Sequence, residues 1–309
     1  MTPTRTAGLT DGLLVVDKPA GWTSHQVVGR LRRILGTRKV GHAGTLDPMA
    51  TGVLLVGVGR ATRLLGHLAL TDKSYAATIR LGQATVTDDA EGDLIEARGA
   101  AGVSVDQVSA AVDGYRGRIT QVPSAVSAIK IDGVRSYARV RAGEDVQLAG
   151  REVTVSRFEL IRTRWAEVGD EGYPLDVLDV DVEIDCSSGT YIRALARDLG
   201  RDLGTGGHLT RLRRTRVGPF TLSEPHLSPH GLDAEPGAEV PLLGLAEVAR
   251  RCFPVVEVDG AGATDVRHGR ALAVPVPADP TAVMAGEEFL ALYRPAGARS
   301  VPVAVFTTG

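Results

Sequence analysis

The segment from Leu178 to Cys186 alternates strictly between apolar and acidic side chains. Alternation with a period of two places every apolar side chain on one face of a β-strand and every carboxylate on the other. A strand with one buried face is typical of an antiparallel or mixed sheet, because the strands of parallel sheets are buried on both faces. This segment therefore predicts a sheet that has one covered face and one solvated face.

Apolar periodicity also predicts the elements around this strand. It indicates further strands over residues 13–16, 53–58 and 75–81, and helices over residues 24–35, 60–68, 105–112 and 191–203. The glycine-rich residues 41–52 are predicted to form a loop. These elements do not follow the strict βαβ order of a parallel sheet, so the predicted fold class is α+β with a mixed or antiparallel sheet.

The chain of 309 residues is long enough for two domains. Residues 221–240 are rich in Pro, Gly, Ser and Glu, which is typical of a linker. The acidic segment beyond them contains short β-like runs at residues 255–258, 289–293 and 301–306. We therefore predict a larger domain over residues 8–235 and a small β-rich domain over residues 240–309.

The net charge of −2 conceals two basic regions. Residues 1–80 carry 11 basic and 4 acidic side chains, and residues 186–220 carry 7 basic and 2 acidic ones. Of the 35 basic residues 31 are arginine, whose planar guanidinium suits contacts to phosphates and bases, although genome composition can produce the same bias. The clustering is compatible with a nucleic-acid partner even though the average charge argues against one.

The two cysteines, Cys186 and Cys252, match no zinc or disulfide spacing. The sequence contains neither a signal-peptide core nor an apolar run of the length that a membrane span needs. We therefore expect a cytoplasmic protein that is not associated with a membrane.

One short loop concentrates the residues that could carry chemistry, and it reads GHAGTLDPMATG from Gly41 to Gly52. Its single carboxylate, Asp47, precedes Pro48, which restricts the backbone of the preceding residue to extended geometry. The loop lacks a dinucleotide or phosphate-binding glycine motif, and it offers no second carboxylate of the kind that a glycosidase uses. An ordinary glycine-rich turn in which Asp47 caps a backbone group is the alternative.

The loop strongly resembles the catalytic motif of the bacterial tRNA pseudouridine synthase B family. Four other blocks resemble motifs of the same family in the same order, and together they span residues 12–220. They are KPAGWTS from Lys18, KSY from Lys73 with the following LG and TxTxDxxG, QVP from Gln121 with SAxK and Tyr137, and CSSGTYIR from Cys186 with the following DLG. The third block departs from the family pattern, because Ser124 stands where a second proline is usual.

The resemblance implies an isomerase that converts uridine to pseudouridine, with Asp47 as the catalytic carboxylate. It implies that Arg193 is the cation beside Asp47, and that Tyr75 stacks on the target base and takes part in transfer of the C5 proton. Each residue also has an ordinary alternative. Arg193 belongs to a stripe of arginines on one helix face, and Tyr75 could be a core aromatic.

The resemblance further implies substrate binding by His42, Tyr191, Leu212, Lys18 and Lys130. His42 would fill the gap that a flipped uridine leaves in the RNA stack, and Leu212 would line the uracil pocket. A structural histidine and a core leucine are the alternatives for these two. Phosphate contacts are expected from nine basic side chains, namely Arg30, Arg32, Arg33, Arg38, Lys39, Arg211, Arg213, Arg214 and Arg216.

From the resemblance we expect tRNA as the partner, recognised through its T arm, and a small PUA-like C-terminal domain. The acidic composition of that domain makes a direct RNA contact doubtful. No metal or cofactor is expected, and a monomer is the default. The alternatives are a tRNA-folding chaperone that uses the same site without catalysis, and a nucleoside hydrolase or glycosidase.

Overall fold

The computed structural model describes residues 11–124, 130–131, 134–135, 149–169 and 174–307. The strands over these residues are β1 (Gly12–Lys18), β2 (Val40–Ala43), β3 (Thr51–Val58), β4 (Lys73–Leu81), β5 (Gln83–Thr85), β6 (Leu94–Ala97), β7 (Gly117–Gln121), β8 (Lys130–Ile131), β9 (Val134–Arg135), β10 (Arg151–Val168), β11 (Leu175–Cys186), β12 (Gly207–Val217), β13 (Phe220–Thr221), β14 (Val255–Glu257), β15 (Thr281–Ala285), β16 (Glu288–Ala296) and β17 (Arg299–Val305). The helices are α1 (Ser24–Ile34), α2 (Leu65–Ala69), α3 (Val105–Asp113), α4 (Ile192–Asp202), α5 (Leu245–Cys252) and α6 (Gly260–Arg267), with short 3₁₀ helices at Gly59–Leu64 and Pro229–Asp233.

A sheet of nine described strands forms the centre of the molecule. Its strand order is β1-β3-β12-β4-β11-β10-β7, with β2 paired to β3 and β13 paired to β12. The pair of β3 and β12 is parallel, and the other pairs are antiparallel. The predicted α+β class with a mixed sheet is therefore confirmed.

Strand β11 lies in the middle of this sheet between β4 and β10, and its alternation confirms the predicted buried face. The acidic face is not simply solvated. Arginines on the neighbouring strands pair with it, with Arg80 Nε 2.8 Å from Asp179 Oδ1 and Arg162 Nη2 2.7 Å from Asp181 Oδ2. The negative charge that the sequence places on this strand is therefore largely compensated within the sheet.

Three predicted segments differ in the structure. The predicted loop over residues 41–52 is shorter, because β2 (Val40–Ala43) and β3 (Thr51–Val58) take up its two ends, so the Asp47 loop spans residues 44–50. Residues 60–68 form a 3₁₀ helix followed by the short helix α2 rather than one helix. Residues 221–240 are not a free linker, because Leu227 N donates to Val15 O at 2.8 Å and Asp17 N donates to Leu227 O at 2.9 Å. Main-chain hydrogen bonds to the edge strand β1 thus hold this segment against the central sheet.

The C-terminal strands form a separate four-stranded sheet in the order β14-β15-β16-β17. A shared apolar cluster joins this sheet to the central one, with Leu13 and Leu55 on one side and Met284 and Phe306 on the other. The division into domains over residues 8–235 and 240–309 stays a prediction.

Gly52 allows β3 to approach β12 closely behind the Asp47 loop. Its φ of +98° lies in a region that favours glycine, and a Cβ there would lie 2.1 Å from Arg214 O. We expect Gly52→Ala to lower the free energy of unfolding by more than about 2 kcal/mol. Gly66→Ala is the matched control, because a Cβ at Gly66 in α2 meets nothing within 4 Å. Urea denaturation of both variants measures the difference, and equal stabilities would contradict the prediction.

Candidate active site

A cavity of about 330 Å³ opens where the Asp47 loop, β4, β12 and the N-terminus of α4 meet. Its volume lies within the range of small-molecule pockets. Polar and apolar side chains both contribute to its wall. The lining residues are Gly44, Thr45, Leu46, Asp47, Ala69, Lys73, Tyr75, Gly189, Thr190, Tyr191, Ile192, Arg193, Leu212 and Arg214.

Lys18 binds the main chain of the Asp47 loop at Pro48. Its side chain is fully buried, and Nζ donates to the carbonyl oxygens of Pro19 at 2.9 Å, Trp22 at 2.6 Å and Pro48 at 3.1 Å. Burial lowers the pKa of Lys18 to about 8. The ammonium therefore ties the β1–α1 turn to the residue that follows Asp47. Lys18 is expected from the sequence to bind substrate, but it does not line the cavity, and its contacts are those of a positioning residue.

Arg193 binds the Asp47 carboxylate through two nitrogens. Its Nε lies 3.0 Å from Asp47 Oδ2, and its Nη2 lies 3.3 Å from Asp47 Oδ1. The two-pronged contact fixes the orientation of the carboxylate as well as its position. The side chain of Asp47 keeps 37% exposure, whereas that of Arg193 has 9%. The Asp47 carboxylate therefore lines the cavity, where one side of it contacts Arg193 and the other side is accessible to a ligand.

A second carboxylate, Asp89, holds the far side of the same guanidinium. Arg193 Nη1 lies 3.4 Å from Asp89 Oδ2 and donates to Thr87 O at 2.9 Å. Asp89 itself is buried and accepts a hydrogen bond from Thr87 Oγ1 at 2.5 Å. Arg193 thus lies between two carboxylates, with Asp89 closed off from solvent and Asp47 facing the cavity.

Tyr75 forms part of the cavity wall on β4, where it is opposite Arg214 of β12 and Ile184 of β11. The residue is 8% exposed. Burial raises the pKa of the Tyr75 phenol, so the side chain is neutral near pH 7. A neutral phenol can donate or accept a hydrogen bond, but it is not a phenolate base.

Two basic residues, Arg214 and Lys73, line the same wall of the cavity as Tyr75. The sequence did not predict either of them at the reacting group. Arg214 is 1% exposed, and it donates from Nε to Val53 O at 2.7 Å and from Nη2 to Gly44 O at 2.9 Å. Lys73 Nζ donates to Ala69 O at 2.9 Å and to Thr71 O at 2.6 Å. Burial lowers the pKa of Lys73 to about 8.

Leu212 and Tyr191 both line the cavity, as the sequence predicts for substrate-binding residues. Leu212 is 6% exposed and supplies an apolar wall. Tyr191 is the N-cap residue of α4, and its main chain exchanges hydrogen bonds with the side-chain amide of Gln121 at 3.0 and 3.2 Å. Gln121 therefore fixes the start of the helix that carries Arg193.

His42 lies on β2, before the Asp47 loop, and is not part of the cavity wall. Its ring meets the ring of His25 edge to face with centroids 5.2 Å apart. Burial lowers the pKa of His42, and the nearby His25 and Arg214 act in the same direction, so the ring is neutral near pH 7. Its Nδ1 has no hydrogen-bond partner among the described residues. Lys130 lies in β8, and its side chain falls outside what the structure describes.

The predicted phosphate-binding surface is only partly available. Arg214 is buried, so its assignment to a surface is wrong. Arg30 donates to Leu232 O and Ala234 O, Arg32 donates to Val40 O, and Arg213 forms two hydrogen bonds to Asp17. Four members are exposed and form no side-chain hydrogen bond or ion pair with the described residues, namely Arg33, Arg38, Lys39 and Arg211.

Asp89, Lys73 and Arg214 are the site residues that sequence reasoning did not single out for these roles. Asp89 belongs to the family-like block that starts at Lys73. Lys73 lies two residues before Tyr75, and Arg214 lies two residues after Leu212, but no spacing in the sequence shows that these side chains share one cavity. Within the described ranges, no group of three or more His, Cys, Asp or Glu side chains is arranged to hold a metal ion. No helix there is long and apolar enough to span a membrane.

The side chains around the cavity suggest what chemistry it can support. A carboxylate held by a guanidinium can act as a nucleophile or a base at a carbon that carries a leaving group. Tyr75 and Leu212 provide flat and apolar surfaces next to it. The cavity therefore brings a paired carboxylate next to aromatic and apolar surfaces.

Comparisons with known proteins agree with this geometry. The family model described as TruB family pseudouridylate synthase, N-terminal domain, matches residues 32–192, and the model described as tRNA pseudouridylate synthase B C-terminal domain matches residues 193–234. A protein from Cutibacterium acnes named tRNA pseudouridine synthase B is 59% identical over 93% of this chain and 94% of its own length. One of the same name from Thermobifida fusca is 52% identical over 96% of this chain and 99% of its own length.

Solved structures give the same result at lower identity. A Cbf5–Nop10–Gar1 complex contains a chain with a TM-score of 0.71 and 27% identity, covering 96% of this chain and 85% of that one. An H/ACA RNP bound to a substrate RNA containing 2′-deoxyuridine gives a TM-score of 0.69 and 26% identity over the same shares. The resemblance carried by the five sequence blocks is thereby confirmed, and the chain belongs to the TruB family of pseudouridylate synthases.

Proposed function

We propose that this enzyme isomerises a uridine in the T loop of tRNA, the one conventionally numbered 55, and that Asp47 is its essential catalytic residue. The observation that carries the proposal is the two-pronged contact of Arg193 with Asp47 at the wall of a nucleoside-sized cavity. Relatives named tRNA pseudouridine synthase B over nearly the whole chain support the choice of tRNA.

The reaction breaks the bond between N1 of uracil and C1′ of the ribose and forms a bond between C5 and C1′. The proton on C5 is lost, and N1 gains a proton, so reactant and product have the same composition. In our proposal the Asp47 carboxylate assists the break, either by attacking C1′ or by acting as a base at the sugar. The isomerisation is not a redox reaction, and a carboxylate can promote it without a metal ion or a cofactor.

Tyr75 and Leu212 would hold the detached uracil while it turns. Both line the cavity, and aromatic and apolar surfaces retain a flat ring without fixing its rotation. The neutral phenol of Tyr75 can relay the C5 proton through its hydroxyl. Tyr191 at the start of α4 would contact the same nucleotide.

His42 would act on the RNA rather than on the reacting base. A uridine inside a folded loop must leave its stack, which costs a few kcal/mol. A neutral ring inserted into the gap recovers part of this energy. The position of His42 on β2, five residues before Asp47, is compatible with such a role next to the loop that carries Asp47.

The direct test is incubation of the protein with an unmodified tRNA transcript, followed by mapping of pseudouridine at nucleotide resolution. We expect one modified position, in the T loop. Modification elsewhere would overturn the choice of site. Tight binding and refolding of the tRNA without any pseudouridine would favour the chaperone alternative, and release of free uracil would indicate a hydrolase.

The affinity for tRNA should fall as salt rises, because phosphate contacts release counterions. Arg211 on β12 is exposed and forms no ion pair with the described residues. Arg211→Gln should reduce the slope of log K against log salt by about one. Arg157→Gln is the matched control, because Arg157 already pairs with Glu159 of β10 and Glu183 of β11. Filter binding between low and moderate salt measures both slopes, and an unchanged slope for Arg211→Gln would exclude that contact.

The remaining expectations belong to the same proposal. The protein would act in the cytoplasm as a monomer, and the C-terminal sheet would form a PUA-like module. Residues 240–309 carry seven acidic and six basic side chains, whereas the basic clusters lie within residues 1–80 and 186–220, so we assign the main phosphate contacts to the larger part of the chain.

A further inference from the structure

Asp88 has an unusual backbone conformation next to the active site. Its φ of +60° makes it the single non-glycine residue with a positive φ in the described part of the chain. Asp adopts this left-handed region more readily than most residues, but the conformation still has to be held by its surroundings. Two main-chain hydrogen bonds hold it, from Asp88 N to Thr85 O at 3.2 Å and from Leu209 N to Asp88 O at 3.0 Å.

The Asp88 carboxylate is buried at 8% residue exposure and does not face the cavity. Its Oδ2 accepts a hydrogen bond from Ser124 Oγ at 2.5 Å and lies 3.3 Å from Arg197 Nη1. Burial raises the pKa of Asp88, and the nearby Ser124 and Arg197 partly oppose this shift. A buried charge of this kind is costly unless it is paired and hydrogen-bonded, and Arg197 and Ser124 supply these two contacts.

Arg197 connects the same carboxylate to helix α4 and to the segment after β7. Its Nε lies 3.0 Å from Asp198 Oδ1, and its Nη2 donates to Val122 O at 2.7 Å. Arg197 follows Arg193 by four residues, so both side chains leave the same face of the helix, one turn apart. Neither Asp88 nor Arg197 lines the cavity.

Two successive carboxylates, Asp88 and Asp89, therefore contact two arginines of helix α4. Asp89 contacts Arg193, and Asp88 contacts Arg197 one turn further along. Core packing and the Gln121 contact hold α4 in the domain, and the two ion pairs about 6 Å apart add a fixed register of the helix against residues 85–89. The left-handed backbone conformation occurs at Asp88, where the side chains of Asp88 and Asp89 turn toward different arginines.

We propose that Asp88 and Arg197 are positioning residues, whose buried ion pair sets helix α4 against residues 85–89 and thereby places Arg193 between Asp89 and Asp47. The inference rests on the proposed catalytic role of Asp47. It predicts that the pair affects the chemical step through Arg193 and leaves tRNA binding unchanged, since neither side chain reaches the cavity.

The experiment compares Asp88→Asn, Arg197→Gln and the double variant in single-turnover pseudouridine formation with saturating enzyme. We expect each single variant to react about 10- to 100-fold more slowly, because small displacements of catalytic groups have effects of this size. The double variant should be no slower than the worse single variant, since both changes remove the same ion pair. The Kd for tRNA should stay within about twofold.

Arg201→Gln is the matched control on the same helix. Arg201 is one further turn along, pairs with Asp198 and Asp202, and does not contact residues 85–89. Its loss should leave the rate unchanged. Thermal unfolding separates positioning from loss of structure: burial already disfavours the charge on Asp88, so the neutral amide of D88N should keep Tm within a few degrees while the rate falls.

The proposal is overturned if both single variants react at the wild-type rate, if their effects multiply in the double variant, or if the rate falls only in proportion to Tm and tRNA affinity. Asp47→Asn is measured in the same assay to separate the two proposals. An inactive D47N with a fully active D88N would refute the positioning role alone, whereas an active D47N would refute the catalytic role of Asp47 on which the inference rests.

Discussion

Asp47→Asn is expected to lower the rate of pseudouridine formation by at least about 10⁴-fold, because loss of a catalytic nucleophile or base has effects of this order. Asparagine has nearly the same shape as aspartate, so the loop and the contact with Arg193 should persist in altered form. The affinity for tRNA should therefore change little. Release of tritium from C5 of labelled uridine measures the rate, since C5 loses its hydrogen in the reaction.

Asp106→Asn provides the control for a generic loss of negative charge. Asp106 lies in the first turn of α3, exposed and away from the cavity. The variant should react at the wild-type rate. Substantial activity of Asp47→Asn, within about tenfold of wild type, would remove Asp47 from the reaction and would require another nucleophile or base among the lining residues.

Arg193→Met is expected to have the second largest effect. It removes the guanidinium that two carboxylates share and leaves Asp89 buried without its cation. Breaking a buried ion pair in this way costs about 3–5 kcal/mol, so both the rate and Tm should fall, the rate by about 10³-fold. Single-turnover kinetics and thermal unfolding measure the two effects separately.

Arg193→Lys distinguishes charge from geometry at the same position. A lysine keeps the positive charge but cannot contact both oxygens of Asp47 through a planar fork. We expect its Tm to lie closer to that of the wild type and its rate to stay low. A lysine variant with the wild-type rate would show that the charge alone suffices and that the two-pronged contact at 3.0 and 3.3 Å is dispensable.

Local patterns in the sequence predicted the parts of the fold that depend on local burial. The alternation from Leu178 to Cys186 predicted β11 and its buried face, because side chains two residues apart share a face whatever their neighbours are. The same reasoning placed the helix that carries Arg193 and the strand that carries Tyr75. It did not predict that residues 221–240 pair with β1, because main-chain pairing leaves no trace in composition.

Charge was the least predictable property from sequence. The basic clusters suggested a continuous phosphate-binding surface, yet Arg213 pairs with Asp17, and Arg30 binds two carbonyl oxygens. Arginines from neighbouring strands likewise cover the acidic face of β11. Counting charges along a chain cannot reveal such pairs, because the partners come from strands that are distant in sequence.

By itself the sequence determined the class of the fold, the family and the loop that presents Asp47, since each depends on residues that are close together in the chain or on blocks in a fixed order. Only the tertiary structure decided how the charges are arranged. Arg193 meets Asp47 across 146 positions, and it meets Asp89 on its other side. Lys18 donates a hydrogen bond to Pro48 in the Asp47 loop. Ion pairs and buried hydrogen bonds depend on distance in space, and the fold brings the Asp47 loop, β4, β12 and α4 together at one cavity.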